Sequence, residues 1–297
     1  MNHEIQRTVM IGLQLAIAVE AAACLPPPGV ACGEAWCSER EHCIALGPRG
    51  GEQLVCVTRT IGESCTMDTE CTPSGICDLG RCRVAHTCAE ILLHVPGSAD
   101  GVYSLAPGTT APFGAVCDMT RDGGGWTLLL KASGDATLGF SALAWTDGSL
   151  LDATDLTLEA GNAKYQSFLS LPITTLRGEL DGFRYTQDFA EMTAQQIFSS
   201  PATIIQGFPT FNQDGPNWAT QPHCQVFGVN TPFAHTRTRF GWSASGQNDC
   251  TANYTAVGLG LMNDGMDQHG AGYECLGPAC SPGIVNTGGQ GLLWGRE

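Results

Sequence analysis

Cys117-Asp118-Met119-Thr120-Arg121-Asp122-Gly123-Gly124-Gly125-Trp126 is the stretch on which the fold turns. Three consecutive glycines open backbone angles closed to other residues and let a second chain segment approach closely. A large aromatic follows at once, then Thr127-Leu128-Leu129-Leu130, which reads as a buried strand. The cysteine ahead of the turn can pin it to something distant. The glycines would also suit an anion, but no helical pattern or basic residue follows, which argues against a phosphate loop. The stretch reads as a disulfide-anchored turn into a core strand.

The same residues resemble the C-D-x-x-x-x-G-G-G-W signature of fibrinogen-like domains, in particular their bacterial branch, and the related intelectins. Upstream, Cys88-Ala89-Glu90-Ile91-Leu92 and Gly101-Val102-Tyr103-Ser104-Leu105 are similar to the family's opening C-x-x-I segment and G-x-Y strand. The resemblance covers Cys88 to Glu297 and is strongest over Cys88–Lys131. It implies a Cys88–Cys117 bridge across the first hairpin. It also implies a calcium loop ahead of a late cysteine pair and, in the intelectin branch, a calcium ion that holds vicinal sugar hydroxyls directly.

Composition narrows the field further. The chain of 297 residues has a formal charge of −15, and its only lysines are Lys131 and Lys164. Nucleic-acid binding needs clustered cations for counterion release, so it is excluded; metal cations suit this balance. Gly 38 and Pro 16 with 14% charged residues indicate a turn-rich chain, more β than α. Fifteen cysteines do not fit a reducing cytosol.

The odd cysteine count directs attention to the N-terminus. Val9–Val19 is apolar and uncharged but too short for a bilayer, which takes about 20 residues. Glu20-Ala21-Ala22-Ala23-Cys24 resembles a bacterial lipoprotein signal, in which residues 1–23 are removed and Cys24 is lipidated. The competing reading is an ordinary signal peptide cut after Ala23. Removing Cys24 from the fifteen leaves fourteen, an even number. Residues 24–31, with Pro26-Pro27-Pro28, then form a stiff spacer. Between Cys32 and Cys82 lie eight cysteines in two halves, Cys32–Cys56 and Cys65–Cys82, with too little apolar content for an ordinary core. Disulfides must staple a segment this small, in a connectivity that order alone does not give. C-x-x-C spacing is absent there, which argues against zinc.

Over 88–297 the pattern predicts a helix from Thr87 or Cys88 to His94. Strands are expected at Gly101–Leu105, Ala115–Asp118, Trp126–Ala132, Ile173–Tyr185, Arg237–Trp242, Ala256–Met262 and Gly291–Trp294. Ala163–Leu169 is a helix or a buried strand. Thr193-Ala194-Gln195-Gln196 resembles a capping box opening a short helix to Ser199. Thr203–Thr236 reads as irregular. The expected class is α+β, a twisted antiparallel sheet with long loops.

The loops must carry function. Met262-Asn263-Asp264-Gly265-Met266-Asp267-Gln268-His269 is the densest in oxygen. Asn263, Asp264 and Asp267 could supply ligands to a hard cation, which takes six to eight oxygens; the alternative is an Asx-rich turn without metal. Asn248 and Asp249, beside Cys250, form a second candidate, with His269 and Glu274 nearby. Of the remaining cysteines we pair Cys224 with Cys250 and Cys275 with Cys280. Trp242, Trp218 and Tyr273 could stack on a sugar face. No HExxH, P-loop or complete G-x-S-x-G occurs, and no histidine has an evident nucleophile partner. The chain therefore reads as a non-enzymatic recognition protein, secreted or held at the cell envelope by a lipid. Its partners would be glycans or glycoconjugates bound with calcium, and a homo-oligomer would add avidity. The alternative is a protein–protein adhesion or structural module.

Overall fold

A computed structural model describes residues 61–71, 74–206, 223–245, 250–251, 254–275 and 287–297, and, before them, only backbone strands at 29–32, 35–38, 42–46 and 53–57. The chain divides into two compact units, Met1–Arg59 and Thr60–Glu297. In the first, Gly29–Cys32 pairs with Ala35–Ser38 and His42–Leu46 with Gln53–Val57, both antiparallel. The signal segment, the Pro-rich spacer and Cys24 lie outside the described residues. No helix among the described residues is long and apolar enough to cross a membrane.

The second unit is all-β, which corrects the α+β expectation. Besides a small hairpin, Gly75–Asp78 with Arg81–Val84, its main strands are β1 Gly101–Leu105, β2 Phe113–Asp118, β3 Trp126–Ala132, β4 Ile173–Leu180, β5 Phe183–Met192, β6 Thr203–Gln206, β7 His223–Val229, β8 Thr236–Ser245, β9 Thr255–Asn263, β10 Ala271–Cys275 and β11 Gly291–Arg296. Together with three two-residue strands they build two seven-stranded antiparallel sheets. The first runs β5-β4-β11-β3-β2-β1, with Ala163–Lys164 also paired to β3. The second runs β6-β7-β8-β9-β10 and ends on Thr287–Gly288, with Met266–Asp267 on β9. Against these stand three short helices, α1 Cys88–His94, α2 Gln166–Ser170 and α3 Ala194–Ser199.

Two differences account for the change of class. The alternation from Ile173 does not end at Tyr185 but turns at Asp181-Gly182, both at positive φ, into a hairpin of two long strands. The segment expected to be irregular holds β6 and β7, which pair with each other.

Where the local signals are strong, the elements form as expected. The Thr87 side chain accepts from the Glu90 N–H at 2.9 Å and caps α1. Thr193 and Gln196 form a reciprocal capping box at α3. Cys88–Cys117 and Cys224–Cys250 are bridged, as are Cys65–Cys77 and Cys71–Cys82. Such bonds place the chain in an oxidising environment. The 65–82 half packs within the second unit, where Ile76 of its hairpin joins Cys88, Ile91, Cys117 and Met119 in one buried cluster.

The main core gathers side chains of both sheets, with Leu129, Leu176 and Leu293 from the first and Phe227, Phe240, Trp242 and Leu259 from the second. Tyr185 is fully buried in it, edge-on to Trp242 at 5.4 Å, and its hydroxyl donates to the Phe240 carbonyl at 3.1 Å. A second cluster, with Trp126, Leu128, Tyr165 and Trp294, belongs to the first sheet. Arg177 crosses it without any exposure, its guanidinium 4.6 Å from the Trp126 ring and 5.0 Å from that of Trp294.

The opening stretch takes the form expected of it. Gly123, Gly124 and Gly125 all have positive φ. A Cβ on Gly124 would stand 2.1 Å from the Met119 carbonyl oxygen, and one on Gly125 2.8 Å from Ala89 Cα in α1. The glycines thus admit the first helix against the turn.

A further set of glycines has a sheet-wide role. Gly228, Gly241, Gly258, Gly272 and Gly288 stand opposite one another on successive strands of the second sheet. The first four have φ between 139° and 158°, and a Cβ on Gly241 would lie 2.0 Å from the Val257 carbonyl oxygen. The row lets neighbouring backbones approach where no other residue fits.

Both lysines are fully buried. Lys131 Nζ donates to Asp155 Oδ2 at 2.5 Å and to the carbonyls of Thr157 and Glu159. This hydrogen bond, with that of Thr157, pulls the Asp155 carboxyl down to about 2. Lys164 Nζ donates to the Asp147 carbonyl at 2.7 Å. The two ammoniums pin the long 135–162 segment onto β3. An amine-reactive ester should therefore leave both ε-amines unmodified in the folded protein and label them once it is denatured. Mass spectrometry reads this, and labelling of either lysine at the rate of a free amine would refute the arrangement.

Candidate functional site

The acidic loop lies at the end of β9. Between Leu259 and Asn263 the backbone leaves regular strand geometry at Gly260, φ 64°, where a Cβ would meet Arg239 at 2.6 Å. The partner strand changes there from β10 to the short Met266–Asp267.

The two aspartates of the loop are taken up separately. Asp264, exposed and at φ 51°, has Oδ1 2.9 Å from His235 Nδ1, and the His235 ring stacks on Tyr254 at 5.1 Å. Asp267 Oδ1 accepts from the Ser141 N–H at 2.9 Å, and its side chain packs on Gly139. They form no joint ligand set. Among the described residues the one cluster of three thiol, imidazole or carboxylate ligand atoms is Cys65, Cys71 and Cys82. These sulfurs are oxidised in disulfides and cannot serve as thiolates.

Asn263, His269 and Glu274 do converge. Asn263 Nδ2 donates to Glu274 Oε2 at 3.0 Å, and His269 Nε2 stands 3.2 Å from Glu274 Oε1. His269 Nδ1 bonds the Gly134 carbonyl. A carbonyl only accepts, so Nδ1 carries a proton, and Nε2 faces the Glu274 carboxylate. With Nε2 protonated this contact is an ion pair; with Nε2 bare, a lone pair meets a carboxylate and leaves room for a cation between them. Glu274 is fully buried and Asn263 is 7% exposed. Asn263 Oδ1 and Glu274 Oε1 have no hydrogen-bond partner. Buried oxygens are costly when left unpaired. Burial pushes the Glu274 carboxyl up, and the Asn263 amide and His269 offset this only in part.

The other expected site residues fall elsewhere. Trp242 is 1% exposed in the core and cannot stack on a sugar, because its ring is packed against Tyr185. Tyr273 is half-buried and packs on the same core. Asn248, Asp249, Trp218, Cys280 and the Cys275 side chain lie outside the described residues, and with them the Cys275–Cys280 pairing. Gly134, whose carbonyl orients His269, was not foreseen. The signal available was its place in Ser133-Gly134-Asp135, directly after the core strand.

No family model matches the chain, and no curated protein is significantly similar to it.

Proposed function

We propose that the chain is a non-enzymatic, calcium-assisted glycan-recognition protein of the fibrinogen-like kind, secreted or lipid-anchored through Cys24. The observation that carries this reading is the meeting of Asn263, Glu274 and His269, with Asn263 Oδ1 and Glu274 Oε1 buried without a hydrogen-bond partner. Asn263, Glu274 and His269 would hold the cation. Calcium takes six to eight ligands, so three protein atoms leave positions for vicinal sugar hydroxyls and water. When bound, the ion supplies a fixed positive charge to which a diol can bind in place of water.

Calcium should raise the unfolding temperature of the wild type, and Glu274→Gln and Asn263→Ala should abolish the rise. A ligand present at 100 times its dissociation constant stabilises by about 2.7 kcal/mol. Without calcium, Glu274→Gln should be neutral or stabilising, because it removes a buried charge. The same proteins on a glycan array should show a chelator-sensitive signal only for the wild type. An array unaffected by chelator would overturn the reading.

A second reading, protein adhesion, draws on the apolar residues of the disulfide-bonded 61–82 segment. Leu79 is 99% exposed at a hairpin tip, with Met67 at 55% and Ile61 at 47%.

A further inference from the structure

The Cys117–Trp126 turn also sets Arg121 between two adjoining clefts of the first sheet. One, of about 270 Å³, is walled by Val102, Val116, Leu156, Leu158 and Trp294. The other, of about 370 Å³, is lined by Leu158, Glu179, Asp181, Gln290 and Leu292. Arg121 and Leu158 line both.

The charges along this groove are unevenly satisfied. In the first cleft the carboxylates are already engaged. Asp100 accepts from the Met119 N–H and the Thr120 hydroxyl, and Asp118 from Arg177 and two backbone N–H groups. Arg121 is half-exposed, and its closest partner, Glu179 Oε1, is 4.0 Å away, too far for a hydrogen bond. The Glu179 side chain is 14% exposed, and its Oε2 is buried with no hydrogen-bond partner. Asp181 Oδ1 accepts only a 3.2 Å bond from the Gln290 N–H. The groove therefore offers an under-used guanidinium beside under-used carboxylates, with an apolar cleft on the other side of the guanidinium.

From this we infer a second binding site, for an α-amino acid zwitterion with an apolar side chain. Its carboxylate lies on Arg121, its ammonium on Glu179 and Asp181, and its side chain among Val102, Leu156 and Leu158. The ligand's opposite charges alternate with those of Arg121 and the two carboxylates and separate the loose Arg121–Glu179 pair. Charge-assisted bonds of this kind are about twice as strong as neutral ones. Recognition depends on both charges and on the apolar group together. A sugar supplies none of the three, so the site is independent of the one at Asn263 and Glu274.

Calorimetric titration of the full chain with L-leucine tests this. Leucine should bind. N-acetyl-L-leucine, which lacks the ammonium, leucine methyl ester, which lacks the carboxylate, and glycine, which lacks the side chain, should each bind at least about tenfold more weakly, the factor that about 1.4 kcal/mol represents. Arg121→Gln and Glu179→Gln should each weaken leucine by a similar factor. Arg121 is half-exposed, so its variant should keep the wild-type unfolding temperature and serve as the control for folding. Absence of leucine binding by the wild type would overturn the proposal. So would unchanged affinity in the Arg121→Gln protein, or equal binding of the ester.

Discussion

Replacing Arg177 with methionine should lower the stability of the second unit by about 3–5 kcal/mol, the usual penalty for leaving a buried charge without its partner. Arg177 is fully buried and Asp118 is 4% exposed, with Nη2 2.6 Å from Asp118 Oδ2. Asp122 lies 3.4 Å from the same guanidinium and is also held by Arg184 at 3.0 Å. Methionine would fill part of the space between Trp126 and Trp294, so the loss isolates charge rather than volume. For a unit of this size each kcal/mol moves the unfolding temperature by about 2–4 °C, which predicts a fall on the order of 10 °C. Burial alone would raise the Asp118 carboxyl, but hydrogen bonds from the Arg121 N–H and the Arg177 guanidinium outweigh it and hold it below the usual range. A depressed carboxyl contributes stability above its unfolded value and loses it as pH falls through the folded one. The wild type should therefore lose this contribution only in acid, and Arg177→Met should show a flatter profile there. An unfolding temperature within 2 °C of wild type, by calorimetry at neutral pH, would show that the pair is dispensable.

The second large effect is expected at Gly124. Its φ and ψ, 71° and −174°, fall where essentially only glycine is found. An added Cβ would also meet backbone, the Met119 carbonyl oxygen at 2.1 Å, and Leu92 at 2.7 Å. The Leu92 contact is with the end of a side chain, but the Met119 carbonyl is backbone two residues past the bridged Cys117 and cannot retreat. Gly124→Ala should cost about 3 kcal/mol or more, adding overpacking to the backbone strain. Gly123 is the internal control. Its φ is also positive, but a Cβ there would meet only the end of the flexible Arg296 side chain at 3.3 Å. Gly123→Ala should cost about 1 kcal/mol. Urea midpoints at unchanged slope measure both, and equal losses at the two positions would contradict the packing described.

These two residues also show how much of the fold could be read in advance. The Cys117–Trp126 turn, the strand Trp126–Ala132, helix α1 with its Thr87 cap and the Thr193 capping box are local devices, complete within a few residues. Asp181-Gly182 is a local signal too, a common hairpin dipeptide, but it lies inside a run whose alternation continues on both sides. The strands β6 and β7 were hidden because Phe227-Gly228-Val229 breaks the apolar run with a glycine that only the neighbouring strands explain. The candidate site was legible in composition and not in arrangement. Asn263, His269 and Glu274 each stand out for their chemistry, but their meeting depends on the departure of β9 at Gly260. Asp264 and Asp267, closer in sequence, are drawn apart by His235 and Ser141, which lie far away along the chain. Residue type alone suggests a sugar-stacking surface for Trp242, whereas the inter-sheet core buries it.

The burial of Lys131 and Lys164 has a chemical consequence for a protein proposed to handle carbohydrates. Reducing sugars and other aldehydes condense with accessible unprotonated amines to give imines that rearrange to permanent adducts. With its two lysines enclosed, each ε-ammonium held by carboxylate and carbonyl oxygens, the folded second unit presents no ε-amine for that condensation. Its cationic contacts with solvent are left to arginine and histidine. Prolonged incubation with a reducing sugar should accordingly leave its two lysines without adducts for as long as the fold holds.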